Sequence, residues 1–505
     1  MAILRPRSLL NRRAFLGRSA AMSGAGLLSL TALGRLSARA AHAAAGGNLQ
    51  EGGYGPLAAK APDNNPGGFA ILALPDGFSY VTFSAIGETL SDGAPVPVNL
   101  DGMQAYAHPT EAGVVRLIRN HEDRNAPGAG SVLGPVATKY DINGGGGTTT
   151  LDFDEQSRTL LRHFISLNGT IVNCAGGGGF GLQSWLTCEE TTANKGSGGG
   201  LGWAQNHGYA FQVPLDLPAN TPATAVPIPA LGRFSHEALA VDQDTGIVYL
   251  TEDAGSGTGS GFYRFLPVDP RDLLAGGRLQ MLGIKGQPAY DTRQGQQVGR
   301  QVPVAWFDIL NPDPANASNS SPERVFTQGF SQGGALFNRL EGVWWDNGGV
   351  FFVSTSGGDV KNGDVNSDGF AEGYGQIWEY RPAGQSGGGH LRLVFESPGQ
   401  AVLDSPDNLH ATPRGGLILC EDDAGSSDGD THPLAPSITD VNRLIGISAT
   451  GKAFEFAVNR LNDTEFAGAC FGPSGETLYV NIFGDGSAGS GMTLAITGPW
   501  SAGPL

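Results

Sequence analysis

The sequence predicts an all-β protein, a six-bladed β-propeller with long inter-strand loops and metal ions at its central channel. Three observations carry this expectation. Short apolar stretches that open on a glycine recur along the chain, at Gly113–Glu122, Gly181–Glu190, Gly246–Asp253, Gly349–Ser356, Gly416–Asp423 and, more loosely, Gly475–Phe483. The steps between their opening glycines are 68, 65, 103, 67 and 59 residues, so similar units follow one another. Most of these strands also end in polar or acidic groups, as in Asn120-His121-Glu122, Cys188-Glu189-Glu190, Glu252-Asp253 and Cys420-Glu421-Asp422-Asp423. Strands of β-branched and aromatic residues must bury their faces against neighbours, and radial packing of small sheets does this. The strand ends then meet at one mouth, where gathered carboxylates repel one another unless cations are bound.

In chain order, residues 1–43 read as a twin-arginine export signal. Asn11-Arg12-Arg13-Ala14-Phe15-Leu16 precedes a weakly apolar run over 20–33, followed by the small-residue sites Ala38-Arg39-Ala40 and Ala41-His42-Ala43. The run is too short to span a membrane. The signal predicts export by the twin-arginine translocation machinery to the periplasm or the medium. Residues 44–75, with Gly46-Gly47, Gly52-Gly53 and Gly67-Gly68, read as an exposed N-terminal arm. Residues 76–505 read as a single propeller domain, a monomer, with the strand 78–86 pairing with 492–497 to close the ring. The long step of 103 residues places an insertion around 268–338.

Removing residues 1–43 takes away seven arginines and no acidic residue, leaving 24 basic against 48 acidic residues and a net charge of −24. Nucleic acid and anionic membranes are poor partners for such a surface. An anionic substrate needs bound cations or a local arginine to be held.

The four cysteines, Cys174, Cys188, Cys420 and Cys470, fit no zinc or Cys-x-x-Cys spacing. In an oxidising compartment, disulfides involving Cys174 or Cys470 are one reading. Cys188 stands apart because two glutamates follow it, so that its thiolate is favoured only beside a cation. Gly255–Gly261 lacks the Lys-Ser/Thr of a phosphate loop, and no Gly-x-Ser-x-Gly elbow occurs. The stretch from Asp364 to Glu372 sets Asp364, Asn366, Asp368 and Glu372 at positions 1, 3, 5 and 9, with Gly369 at 6. That is the pattern of a short calcium loop, without the glutamate at 12 of a true EF-hand.

Several of these segments together resemble the PhoX family of alkaline phosphatases. They are Asn120-His121-Glu122, Trp185-Leu186-Thr187-Cys188-Glu189-Glu190, His236-Glu237, Phe337-Asn338-Arg339-Leu340-Glu341-Gly342, Pro406-Asp407-Asn408-Leu409, Glu465 to Phe471, and Ile496 to Trp500. The resemblance implies a six-bladed propeller and hydrolysis of small phosphate esters at a site holding Fe3+ and Ca2+. It implies that Cys188 bridges the irons, that Glu237 and Glu341 are metal ligands, and that Arg339 binds phosphate. Further calcium ligands would be Asn120, Glu122, Glu189, Glu252, Asp253, Asp407, Glu421, Asp422 and Glu465. One departure stands out: the family's lysine upstream of the motif cysteine has no counterpart in 173–187, which implies weaker activity or a different substrate. Two other readings remain open on the residues alone. One is a calcium-dependent esterase or lactonase that needs neither iron nor Cys188, the other a non-catalytic, calcium-stabilised periplasmic binding protein.

Overall fold

The computed structural model describes residues 52–198, 202–384, 387–423 and 429–505. The expected export signal, 1–43, lies outside the described residues. Twenty-eight strands run through the described residues, with one short α-helix, Val325–Gln332. The all-β class therefore holds. Strands such as Val114–His121 and Leu417–Glu421 are buried at every position because sheets cover both of their faces. Within the first of these strands Arg116 is held by an internal acid: it donates to both carboxylate oxygens of Asp152, at 2.7 and 2.9 Å.

The six-bladed β-propeller is corrected by the strand pairing. Six separate, equivalent sheets are not formed. Four strands from Leu100–Ala107 to Thr159–Thr170 make one sheet, and three from Asn173–Gly178 to Ala210–Pro214 make another. A six-stranded sheet carries Pro406–Ala411 at one edge, and a four-stranded sheet carries Phe466–Phe471. The strands between 236 and 396 form a single sheet of nine, with a separate two-stranded hairpin, Lys361–Val365 and Ala371–Gly373. The cause is the expected insertion around 268–338. It supplies the strand Gln301–Asp308, which pairs with Gly277–Ile284 on one side and, through Gln301, Val302 and Pro303, with His390–Glu396 on the other. Ladder groups that would have ended a sheet are thus paired, which removes two edges. The two outer strands of this sheet, His236–Val241 and Leu340–Asp346, come back into contact, so that it is a near-closed barrel. Opening glycines mark strands, but they do not say where one sheet stops.

Two further expectations meet the structure directly. Ser79–Phe83 pairs antiparallel with Met492–Thr497, as the ring closure required. The segment read as an exposed arm is, by contrast, partly built into the body, although residues 63–67 are exposed. Leu57–Lys60 and Leu72–Pro75 extend the six-stranded sheet, and Leu72, Ala73 and Leu74 are fully buried. Burying leucines in this way contributes about 1.5–3 kcal/mol apiece, which an exposed arm would forgo.

What positions the site is the set of first strands. Leu100–Ala107, Asn173–Gly178, His236–Val241, Leu340–Asp346, Pro406–Ala411 and Phe466–Phe471 each contact the next, and the last contacts the first. They form a closed ring at the centre of the molecule.

Candidate metal centre

In all six ring strands the pairing with the following strand skips two residues at the same place. The skipped pairs are Asp101-Gly102, Cys174-Ala175, Glu237-Ala238, Glu341-Gly342, Asp407-Asn408 and Gly468-Ala469. A bulge of this kind kinks the strand and re-aims the extra side chain. The first skipped residue is a carboxylate or a thiol in five strands and glycine in the sixth. The second is small in five, and these residues line a void of about 30 Å³ within the ring. The exception is Asn408, whose side chain donates to Asp407 Oδ1 at 3.0 Å and accepts from the N–H of Gly468. Asn408 thus ties the fifth strand to the sixth.

A second set of acids comes from the ends of the following strands. Alternation along a strand sends successive residues to opposite sides, and the acidic pairs of the sequence are divided in this way. Glu189 is fully buried and accepts from His207 Nδ1 at 2.7 Å and from the N–H groups of Ile171 and Gly208. Glu252 accepts from Tyr263 at 2.5 Å and from Arg324 at 3.1 Å. Glu421 accepts from Arg443 at 2.6 and 2.7 Å and from the N–H of Asp404. These three carboxylates clamp backbone and buried bases. Their successors Glu190, Asp253 and Asp422, and Glu122 after His121, face the ring's acids instead.

Three groups result, in each of which one ligand atom per residue lies within 4.8 Å of the others. They are Glu122 with Cys174 and Glu190, Glu237 with Glu341 and Asp407, and Asp407 with Asp422 and Glu465. Asp407 is common to two. Burial and mutual repulsion push the carboxyls of these groups and the neighbouring Asp101 up: Asp101, Glu190, Glu237, Glu341 and Glu465 well above the usual range, Asp407 to about 8 and Glu122 to about 7. The Cys174 thiol is raised by burial and by Asp101, Glu237, Glu190 and Glu122. Glu237 is fully buried, and neither of its oxygens has a protein partner. A buried carboxyl left so costs several kcal/mol unless a cation takes its oxygens. The donor sets therefore fit bound metal ions, a mixed thiol and carboxylate set on one side and all-carboxylate sets on the other.

Arg339 stands beside these groups. Its backbone is in the left-handed region, with φ of 44°. Its Nη2 is 2.9 Å from Asp253 Oδ2 and 3.1 Å from Glu341 Oε1, and a third of the side chain is exposed. Burial opposes the charge of Asp253, yet Arg339 holds its carboxyl below the usual range.

Several expected ligands are placed elsewhere. Cys188 is fully buried in an apolar cluster with Leu186, Ala210, Ile228 and Phe234, and burial beside Glu189 raises its thiol. Leu186 and Cys188 share the strand face that packs between sheets, so the motif cysteine belongs to the core. Asn120 is also saturated: it donates to the carbonyls of Cys174 and Ala175 and accepts from Trp185 and Thr187. It shapes the Cys174 bulge. The stretch 364–372 does not converge on one point. Asp364 is exposed, Asn366 donates to Asn338, Asp368 pairs with Arg293, and Glu372 accepts from Ser256 and Asn338. All four cysteines are buried and free, so no disulfide joins them. Residues missed by the sequence reading are Asp101, Cys174 and Glu190. For Asp101 and Cys174 a signal was present: in five of the six ring strands an acid or thiol stands directly before a small residue or asparagine.

A search of curated protein sequences finds no match. Among solved structures, Pseudomonas fluorescens PhoX in complex with vanadate, a transition state analogue, is 18% identical over 91% of this chain and 99% of its own, with a TM-score of 0.62. That likeness shows a shared fold. The periplasmic gluconolactonase PpgL of Pseudomonas aeruginosa is 11% identical over 80% of this chain and 89% of its own, and its TM-score of 0.35 is too low to carry an argument. The family model described as alkaline phosphatase PhoX matches residues 52–486. That match takes in every ring strand and every acid of the three groups, and the chain belongs to the PhoX family of alkaline phosphatases.

Proposed function

We propose that this protein is an exported phosphomonoesterase that hydrolyses small phosphate esters at the mouth of the strand ring. The single observation that carries the reading is the gathering of Asp101, Cys174, Glu237, Glu341 and Asp407 at one bulge position around the ring, with Arg339 alongside. Iron suits the group of Glu122, Cys174 and Glu190, because thiolate is a soft, charged donor. Calcium suits the two carboxylate groups, since hard oxygens are its preferred ligands. Bound cations would neutralise an incoming phosphate dianion and acidify adjacent water near neutral pH. The chain's own part is to fix those carboxylates by the bulges and to present Arg339, whose planar fork bonds two phosphoryl oxygens at once. Asp253 and Glu341 orient that fork.

Family membership supports an exported protein, and the twin arginines at 12–13 support the route to the periplasm or medium. Among the described residues no helix is long and apolar enough to cross a membrane. The esterase or lactonase alternative gains no specific support from the site. The test is hydrolysis of p-nitrophenyl phosphate beside a lactone by the exported protein, with iron and calcium per chain measured before and after chelation. Phosphatase activity that falls on chelation and returns with the metals is the expected result. Lactone hydrolysis without phosphatase activity would refute the reading.

A further inference from the structure

A second arginine stands at the mouth, and its environment differs from that of the structural arginines. Arg233, Arg324 and Arg443 are almost wholly buried, each bound to several carbonyls or carboxylates. Arg124 is 60% exposed although it sits on the thiol-bearing group. Only its Nη2 is engaged, with Glu122 Oε1 and, at 3.2 Å, Glu190 Oε2. Among the described residues, its Nε and Nη1 donate to no protein atom.

Its position completes a pattern. Arg339 is anchored on Asp253 and on Glu341 of an all-carboxylate group, Arg124 on Glu122 and Glu190 of the thiol-bearing group, so the two arginines hold acids of different groups. Both arginines are tethered by carboxylates and keep part of the side chain exposed, 60% in Arg124 and 32% in Arg339. When cations share the charge of Glu122 and Glu190, the pull of these carboxylates on Arg124 weakens. A guanidinium with unused N–H donors beside a cation site is then poised for an anion that bridges the two.

We propose that Arg124 is a second phosphate-binding residue, which takes non-bridging oxygens of the phosphoryl group through Nε and Nη1. This rests on the reading of the protein as a phosphomonoesterase. Arg124 is bound to the same carboxylates that hold cations, so substrate affinity is coupled to occupancy of the thiol-bearing group.

The test compares Arg124→Gln and Arg124→Lys with wild type as exported holoenzyme. The measurements are KM and kcat for p-nitrophenyl phosphate, inhibition by inorganic phosphate, calorimetric binding of inorganic phosphate, and metal per chain. Arg124→Gln should raise KM and weaken phosphate binding about tenfold or more, with metal per chain unchanged and a smaller effect on kcat. Arg124→Lys should recover part of the loss, since it keeps the charge but not the fork. Phosphate binding within twofold of wild type in Arg124→Gln would overturn the proposal, as would loss of metal in that variant, which would make Arg124 a support of the cation site. If wild type hydrolyses no phosphomonoester, the functional reading falls by itself. Calorimetry with inorganic phosphate still decides Arg124: a tenfold loss in Arg124→Gln upholds its role and equal affinity overturns it.

Discussion

The sharpest prediction separates two cysteines that stand fourteen residues apart. Cys174 is the first skipped residue of its ring strand and shares a group with Glu122 and Glu190. Cys188, the cysteine of the motif, packs among Leu186, Ala210, Ile228 and Phe234. Serine is close to cysteine in size, so each substitution changes chemistry more than shape. At Cys188 a hydroxyl replaces a thiol in a fully buried apolar cluster, which costs about 1–3 kcal/mol. Unfolding entropy is about 2.1 cal/mol/K per residue, so in a chain of this length Tm falls by about one degree per kcal/mol. The Cys188→Ser protein should therefore unfold about one to three degrees lower, with iron, calcium and turnover unchanged. At Cys174 the loss is of a soft anionic donor that a neutral hydroxyl does not replace. A hundredfold weaker iron affinity is about 2.7 kcal/mol, and Cys174→Ser should retain less than about a tenth of the iron after dialysis. The assay is elemental analysis of the exported proteins with thermal unfolding and phosphatase kinetics. Iron lost from Cys188→Ser and kept in Cys174→Ser would refute the placement of the site.

Three other outcomes are expected. Gly468 has φ of +62°, and a Cβ there would come within 2.6 Å of the Met103 nitrogen; Gly468→Ala should cost about 1–3 kcal/mol and loosen the bond from its N–H to Asn408, read as a lower denaturation midpoint and weaker calcium binding, and an unchanged midpoint would count against the tie between the fifth and sixth ring strands. Burial opposes the charge of His207, but Glu189 and Asp141 raise its pKa to about 9; with the unfolded value near 6.5, its contribution of up to about 3 kcal/mol is fully present below that pH and lost as pH rises through about 9, and His207→Gln should flatten the fall in stability between these limits in denaturant titrations at a series of pH values. Asp364→Asn and Asp368→Asn should leave calcium stoichiometry unchanged by calorimetry, with Asp368→Asn losing under about 1 kcal/mol from its partly exposed pair with Arg293; a calcium lost in either variant would restore the loop as a binding site.

What the sequence by itself determined is the class of structure and the chemistry. Recurrent apolar strands with polar ends require an all-β body with acids gathered at one place, because alternation and burial act within a few residues. The pairing of 79–83 with 493–497 was legible for the same reason: a circular arrangement of strands must close. Motif likeness named Glu237, Glu341, Asp407, Asp422, Glu465 and Arg339, and these are among the side chains that the fold brings together. Only the tertiary structure decided which member of each acidic pair faces the ring. Glu189, Glu252 and Glu421 differ from Glu190, Asp253 and Asp422 by one place in the chain, and the bases that claim the first three, His207, Arg324 and Arg443, come from 18 to 72 residues away. Sheet boundaries were decided in the same way, since the strand 301–308 joins two sheets through partners nearly ninety residues distant. The choice of Cys174 over Cys188 turned on a bulge. A skipped pair of residues leaves no trace in hydrophobic periodicity until the partner strand is known, yet it alone aims the thiol at the carboxylates instead of into the core.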